Sequence, residues 1–155
     1  MRVVSVNVNG LRSAERKGFF EWLEQSQADV VCVQEIRIQA HQMELAHQPA
    51  GWFHHFFPAQ KAGYAGTAIY SRQQPDAIQQ GLGFELCDNE GRYLAAQYGD
   101  LTIASLYLPS GSSSPEAQAK KDDFLGQFLP MLQQWRKQNR SMIICGDWNI
   151  AHQEI

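Results

Sequence analysis

The chain has 155 residues, 44% of them hydrophobic and 19% charged, with a formal net charge of −3. That is the size of one domain with enough apolar material for a core, which excludes a disordered tail. No apolar run is long enough to cross a bilayer, and the acidic balance excludes broad nucleic-acid binding by net charge alone. A local basic groove, or an acidic pocket that recruits a metal and through it a phosphate, remains open.

In chain order, the start "MRVVSVNVNG" lacks the layout of a secretory signal, and residues 2–7 read as a short β-branched strand. Asn9-Gly10 centres the turn after it. From 15 to 25, Phe19, Phe20, Trp22 and Leu23 fall on one helical face. Residues 29–35, "DVVCVQE", form a second strand, apolar on both faces as when both sides are covered. Strand, helix and strand make a βαβ opening. A short helix over 41–47, a strand over 52–59, a glycine loop over 62–66 and a strand over 67–72 follow. "DNEGR", 88–92, reads as a hairpin turn leading into the strand "YLAAQYG", and 100–109 is the longest strand. Ser114 before Pro115 is a helix-start signature. The helix over 115–138 carries Phe124, Leu125, Phe128, Leu129, Leu132 and Trp135 at helical spacing, and Pro130 is expected to kink or split it. "SMIICGDWN" is the last strand, with the Trp148 ring turned into the core. The class is α/β, with parallel and antiparallel strands and helices outside. Cys32, Cys87 and Cys145 are odd in number and far apart, with no CxxC, which reads as a reducing, cytoplasmic protein without a disulfide framework.

Four strands finish in polar groups: Asn7, Glu35, Tyr107, and Asp147 with Asn149. Ligand sites of α/β sheets gather beyond strand ends, and carboxylate and amide oxygens suit a hard divalent ion such as Mg²⁺ or Mn²⁺. Each residue alone has a plainer reading: a turn for Asn7, an N-cap or a pair with Arg37 for Glu35, a core position for Tyr107, an Asx turn for Asp147 and Asn149. The coincidence of four strand ends favours a site. His41, His47, His54 and His55 show no ligand spacing.

The blocks "NVNGLRS", "QEIR", "GYAGTAIYS", "EGRYL", "LYLPSGS" and "GDWNIAHQEI" resemble, in order, those of the exodeoxyribonuclease III family, bacterial apurinic/apyrimidinic endonucleases of the endonuclease/exonuclease/phosphatase fold. The resemblance implies a four-layer αββα sandwich with mixed sheets. It implies hydrolysis of duplex DNA beside abasic sites and at 3′ ends, with Mg²⁺ or Mn²⁺. By the same resemblance, Glu35 is the main metal carboxylate and Asn7 supports the site. Asp147 is the general base or a second metal ligand, Asn149 orients phosphate or water, and Tyr107 contacts the phosphate or leaving group. Gly63, Tyr64 and Gly66 belong to a DNA-backbone loop, with a plain hairpin turn as the alternative, and Arg12, Arg37, Lys61, Arg92 and Ser110 are candidate DNA contacts. His152 and "QEI" support the Asp147 turn.

The family's domain continues beyond a length of 155, and its later Asp and Asp-His blocks have no counterpart here. The resemblance therefore implies that 1–155 is the N-terminal portion of a single domain. Alone, it is expected to leave a sheet face bare, to need the missing portion, and to show little nuclease activity. Two other readings stand beside it: a non-catalytic DNA-binding or assembly module, and another phosphoesterase of the same fold.

Overall fold

The computed structural model describes residues 1–151. The opening is β1 (Val3–Asn7), α1 (Leu11–Glu15), α2 (Phe19–Gln25) and β2 (Val30–Gln34), with β1 and β2 parallel. The expected helix over 15–25 is shorter, α2 alone, starting after Gly18, whose left-handed conformation (φ 87°) caps it, and α1 lies upstream on a stretch expected to be turn. Phe19, Phe20 and Leu23 are buried, but Trp22 is 42% exposed and does not join the buried face. The expected helix over 41–47 is two single 3₁₀ turns, Ala40–Gln42 and Leu45–His47. Strands β3 (Phe53–Phe57) and β4 (Thr67–Ser71) complete a first sheet in the order β1-β2-β4-β3.

The second sheet has the order β5-β6-β7-β8, from β5 (Ala77–Gln80), β6 (Tyr93–Tyr98), β7 (Leu101–Tyr107) and β8 (Ser141–Asp147). Strand β5 and the short helix α3 (Glu85–Asp88) carry no strong sequence pattern. With them in place, "DNEGR" is no hairpin turn but the way out of α3 into β6. Helix α4 (Pro115–Lys137) starts as expected, with the Ser114 hydroxyl accepting from the Ala117 N–H at 3.1 Å. It is not split at Pro130. That residue lies exposed, where one missing backbone donor is least costly.

Three apolar clusters define the layers. Leu11, Phe20, Leu23, Val31 and Val33 join α1 and α2 to the first sheet's outer face. Tyr93, Ala104, Leu106, Phe124 and Phe128 join α4 to the second sheet's outer face. Val30, Cys32, Ile69, Leu94, Ala96 and Ile103 fill the space between the sheets. The order is helix, sheet, sheet, helix, as the resemblance implied. The expectation of a bare sheet face is corrected: both sheets are present, and every residue of β2 and β4 is buried. The less buried strands are the four sheet edges, β1 and β8, which lie next to each other, and β3 and β5. No described helix is long and apolar enough to cross a membrane.

Candidate active site

The parallel pair β1-β2 ends in Asn7 and Gln34, and the parallel pair β7-β8 ends in Tyr107 and Asp147. Packing one sheet on the other brings these ends together. The Asn7 amide donates to Glu35 Oε2 at 2.9 Å and to Asp147 Oδ2 at 3.0 Å. Asn7 thus reaches a residue 140 positions away, and a carboxylate from each sheet faces the same point. The Asn7 side-chain oxygen Oδ1 accepts from the Asn9 N–H at 2.9 Å, which fixes the way round of the amide.

The loops that carry these groups are bent hard. Asn9, Glu35, Arg37, Ala65 and Asn149 all have positive φ without being glycine. Such residues cost free energy and persist only where their surroundings over-determine them, which concentrates them at functional sites. Backbone hydrogen bonds hold them: Gly10 N–H to the Glu35 carbonyl at 2.8 Å, Ile36 N–H to Gly66 and Arg37 N–H to Ala65. Gly146 lets the "GDWN" turn lie against β7, since a Cβ there would sit 1.9 Å from the Leu106 carbonyl oxygen. Trp148 packs as expected, its ring 6.2 Å from that of Phe128.

Glu35 is buried, with Arg37 paired to Oε1. Tyr107 is half-buried, and its hydroxyl is pushed up to about 12, first by burial and then by the Glu35 carboxylate, while Arg92 acts the other way. The phenol is therefore neutral near pH 7 and donates. Asp147 Oδ1 accepts from the Asn149 N–H at 3.0 Å. The Asn149 amide donates to the Leu108 carbonyl at 2.8 Å, and Lys121 donates to the Asn149 carbonyl at 2.6 Å. The turn is thus locked to β7 and to α4.

The donor set is oxygen only. Among the described residues no group of three or more His, Cys, Asp or Glu is gathered. Glu35 and Asp147 fit Mg²⁺ or Mn²⁺, because Mg²⁺ takes one or two carboxylates and keeps its waters; the Asn7 NH2 between them orients both carboxylates and is not itself a ligand. Arg37 holds one Glu35 oxygen and has to yield it or share it.

Of the expected DNA contacts, Arg12 and Arg37 are exposed and line an open cavity of about 410 Å³ with Gly10, Ser13, Arg16 and Gly63. Arg16 was missed, although its spacing of four from Arg12 puts both on one side of α1. A larger cavity of about 510 Å³ is lined by Glu85, Glu90 and Asp123, a sign of charge that repels phosphate. Two expectations are corrected. Gly66 is buried, its N–H already donates to the Glu90 carbonyl, and a Cβ there would meet Ile36 at 2.7 Å. It packs the loop, and Gly63 is the exposed glycine. Arg92 is 2% exposed and turned inward, so it presents no charge to a phosphate. Tyr64 is half-buried beside Lys61 and Lys120, and Ser110 is exposed, its hydroxyl 3.2 Å from that of Ser112. His152 to Ile155 lie outside the described residues.

The endonuclease/exonuclease/phosphatase profile matches residues 4–155. The chain belongs to the endonuclease/exonuclease/phosphatase family. As a member, it is similar over 100% of its length to the exodeoxyribonuclease of Bacillus subtilis, at 36% identity over 159 residues and 61% of that protein. It is 33% identical to a DNA-(apurinic or apyrimidinic site) endonuclease of Dictyostelium discoideum, covering 43% of it. An AP endonuclease structure from Archaeoglobus fulgidus superposes with a TM-score of 0.84 at 26% identity, over 99% of this chain and 59% of that one. The family member described here thus spans about three fifths of two of these relatives and less of the third.

Proposed function

We propose that the protein containing this chain is a metal-dependent DNA phosphodiesterase of the exodeoxyribonuclease III type, cutting duplex DNA at abasic sites and removing nucleotides from 3′ ends. The observation that carries the proposal is the Asn7 amide joining Glu35 and Asp147 across the two sheets. Two carboxylates converging on one amide suit both a hard cation and a base for water, and the names of the relatives supply the substrate class.

Glu35 and Asp147, oriented by the Asn7 amide, would hold Mg²⁺ or Mn²⁺, which when bound neutralises charge on the phosphoryl oxygens. Asp147 takes the proton of the attacking water, and Asn7 keeps its Oδ2 aimed at the site. The neutral Tyr107 hydroxyl donates to a phosphate oxygen and stabilises the charge that develops there. Asn149 keeps the Asp147 turn in place and has one amide N–H left for phosphate or water. Arg12, Arg16 and Arg37 receive the flanking DNA backbone, which positions the duplex without reading its sequence.

The experiment uses the full-length protein and a labelled duplex with one abasic site, in Mg²⁺ and in chelator, with an intact duplex and a phosphoinositide as comparison substrates. Metal-dependent cleavage at the abasic position supports the proposal. Hydrolysis of the phosphoinositide alone assigns the site to another phosphoesterase of the family. DNA binding without cleavage of any substrate assigns it to a non-catalytic module.

A further inference from the structure

We propose that Arg92 is a positioning residue, a buried fork whose three nitrogens tie the end of β7, which carries Tyr107, to the loop that carries Tyr64, so that both tyrosines face one DNA strand. The inference rests on the proposed function for the meaning of those two tyrosines, and on geometry for everything else.

Each nitrogen of the fork is used. Arg92 Nε donates to Glu90 Oε2 at 2.6 Å, Nη1 to the Tyr107 carbonyl at 2.9 Å, and Nη2 to the Tyr64 hydroxyl at 3.1 Å. In return the Tyr107 N–H donates to the Arg92 carbonyl at 2.8 Å, so Tyr107 is held at both of its backbone groups by one residue. The guanidinium carbon also lies 4.9 Å from the centre of the Tyr107 ring and 5.7 Å from that of Tyr64. A planar cation with donors in fixed directions can meet an anion, a carbonyl and a hydroxyl while stacking on two rings. A lysine ammonium cannot.

The fork has an anchor. Glu90 pairs with Arg92 and with Lys120 of α4, and Lys120 donates to the same Tyr64 hydroxyl at 3.1 Å. The Glu90 carbonyl accepts from the Gly66 N–H, and the Gly91 carbonyl accepts from the Thr67 hydroxyl at 2.9 Å. The segment 90–92 is thereby fastened to the glycine loop on one side and to β7 on the other. Charged hydrogen bonds of this kind are short and directional, which suits fixing two side chains better than general stability does.

The test compares Arg92→Met, Arg92→Lys, Tyr107→Phe and Tyr64→Phe in the full-length protein, with the Arg92→Met/Tyr107→Phe double variant. Activity on abasic duplex is resolved into kcat and KM. A second readout is the fluorine resonance of fluorotyrosine at positions 107 and 64, taken at a fixed neutral pH. Arg92→Met should lower kcat by up to about 100-fold, the scale on which a misplaced group costs rate, and should raise KM through Tyr64. The double variant should lose little kcat beyond the larger single loss, because Arg92 acts through Tyr107. Arg92→Lys should not restore kcat, and both fluorine resonances should move in both Arg92 variants. Wild-type kcat and KM in Arg92→Lys, fully additive losses in the double variant, or fluorine resonances that stay in place while thermal stability falls would each overturn the inference. Should the full-length protein cleave no abasic DNA, the functional proposal fails, and the fluorine resonances still decide whether Arg92 holds the tyrosines.

Discussion

Asn7 is the residue on which the site turns. Its amide has two N–H groups, and each is given to a carboxylate from a different sheet. Glu35 and Asp147 then separate by task. In the proposed mechanism Glu35 is the main metal carboxylate, so Glu35→Gln in the full-length protein should weaken Mn²⁺ binding, measured calorimetrically, while the fold is kept. An unchanged metal titration would remove it from the site. Asp147 is the proposed base, so Asp147→Asn should cut turnover by about 10²- to 10⁴-fold with DNA affinity retained. Equal losses in both would make it a binding residue instead. Asn7, Glu35, Tyr107 and Asp147 were legible in the sequence because each ends a strand whose apolar pattern marks its limits. Glu90, Lys120 and the inward turn of Arg92 were not. Nothing in "EGR" tells a surface arginine from a buried one until Tyr64 and Tyr107 are placed around it.

Strands deliver these residues only if the two sheets hold their register. A buried polar strut sets it. Gln34 donates to the Ser105 hydroxyl at 2.9 Å, that hydroxyl donates to the Val33 carbonyl at 3.0 Å, and the Ser5 hydroxyl reaches Gln34 Oε1 at 3.4 Å. Gln34 precedes Glu35 and Ser105 stands two before Tyr107, so the strut lies directly beneath the site. Ser105→Ala orphans the buried Gln34 amide and should cost about 1–3 kcal/mol in urea unfolding of the full-length protein. A change close to zero would show that the register is held elsewhere. The long buried strands could be read from sequence because they are apolar on both faces. Strand β5 could not, because "AIQQ" is a largely exposed edge with little pattern. Helix α1 was hidden because Leu11 and Ala14 are its only buried residues, too few to show a period, and the start of α2 is decided by the backbone of Gly18.

At the scale of the whole molecule, an acidic protein presents a basic cavity beside an acidic centre. Net charge reports the sum and conceals the arrangement. The interior also predicts a pH response. Burial pushes the hydroxyls of Tyr70 and Tyr93 well up, and the Tyr107 hydroxyl rises to about 12. Unfolded tyrosines release their protons near pH 10. Above that pH the unfolded chain binds fewer protons than the folded one, so stability falls as pH rises. The thermal midpoint should begin to fall past about pH 8.5, where unfolded thiols ionise while burial holds Cys87 protonated, and fall more steeply beyond about 10. A flat midpoint through that range would mean the tyrosines ionise within the fold.

The central claim is that the two sheets build one metal-dependent phosphodiesterase site through Asn7. Its most direct test is single-turnover cleavage of an abasic duplex by the full-length protein as a function of Mg²⁺, wild type against Asn7→Ala. The account predicts cleavage that stops in chelator, with Asn7→Ala both slowing the step and raising the Mg²⁺ needed for half-maximal rate. Cleavage that persists in chelator, or an Asn7→Ala protein with wild-type rate and Mg²⁺ requirement, would contradict it.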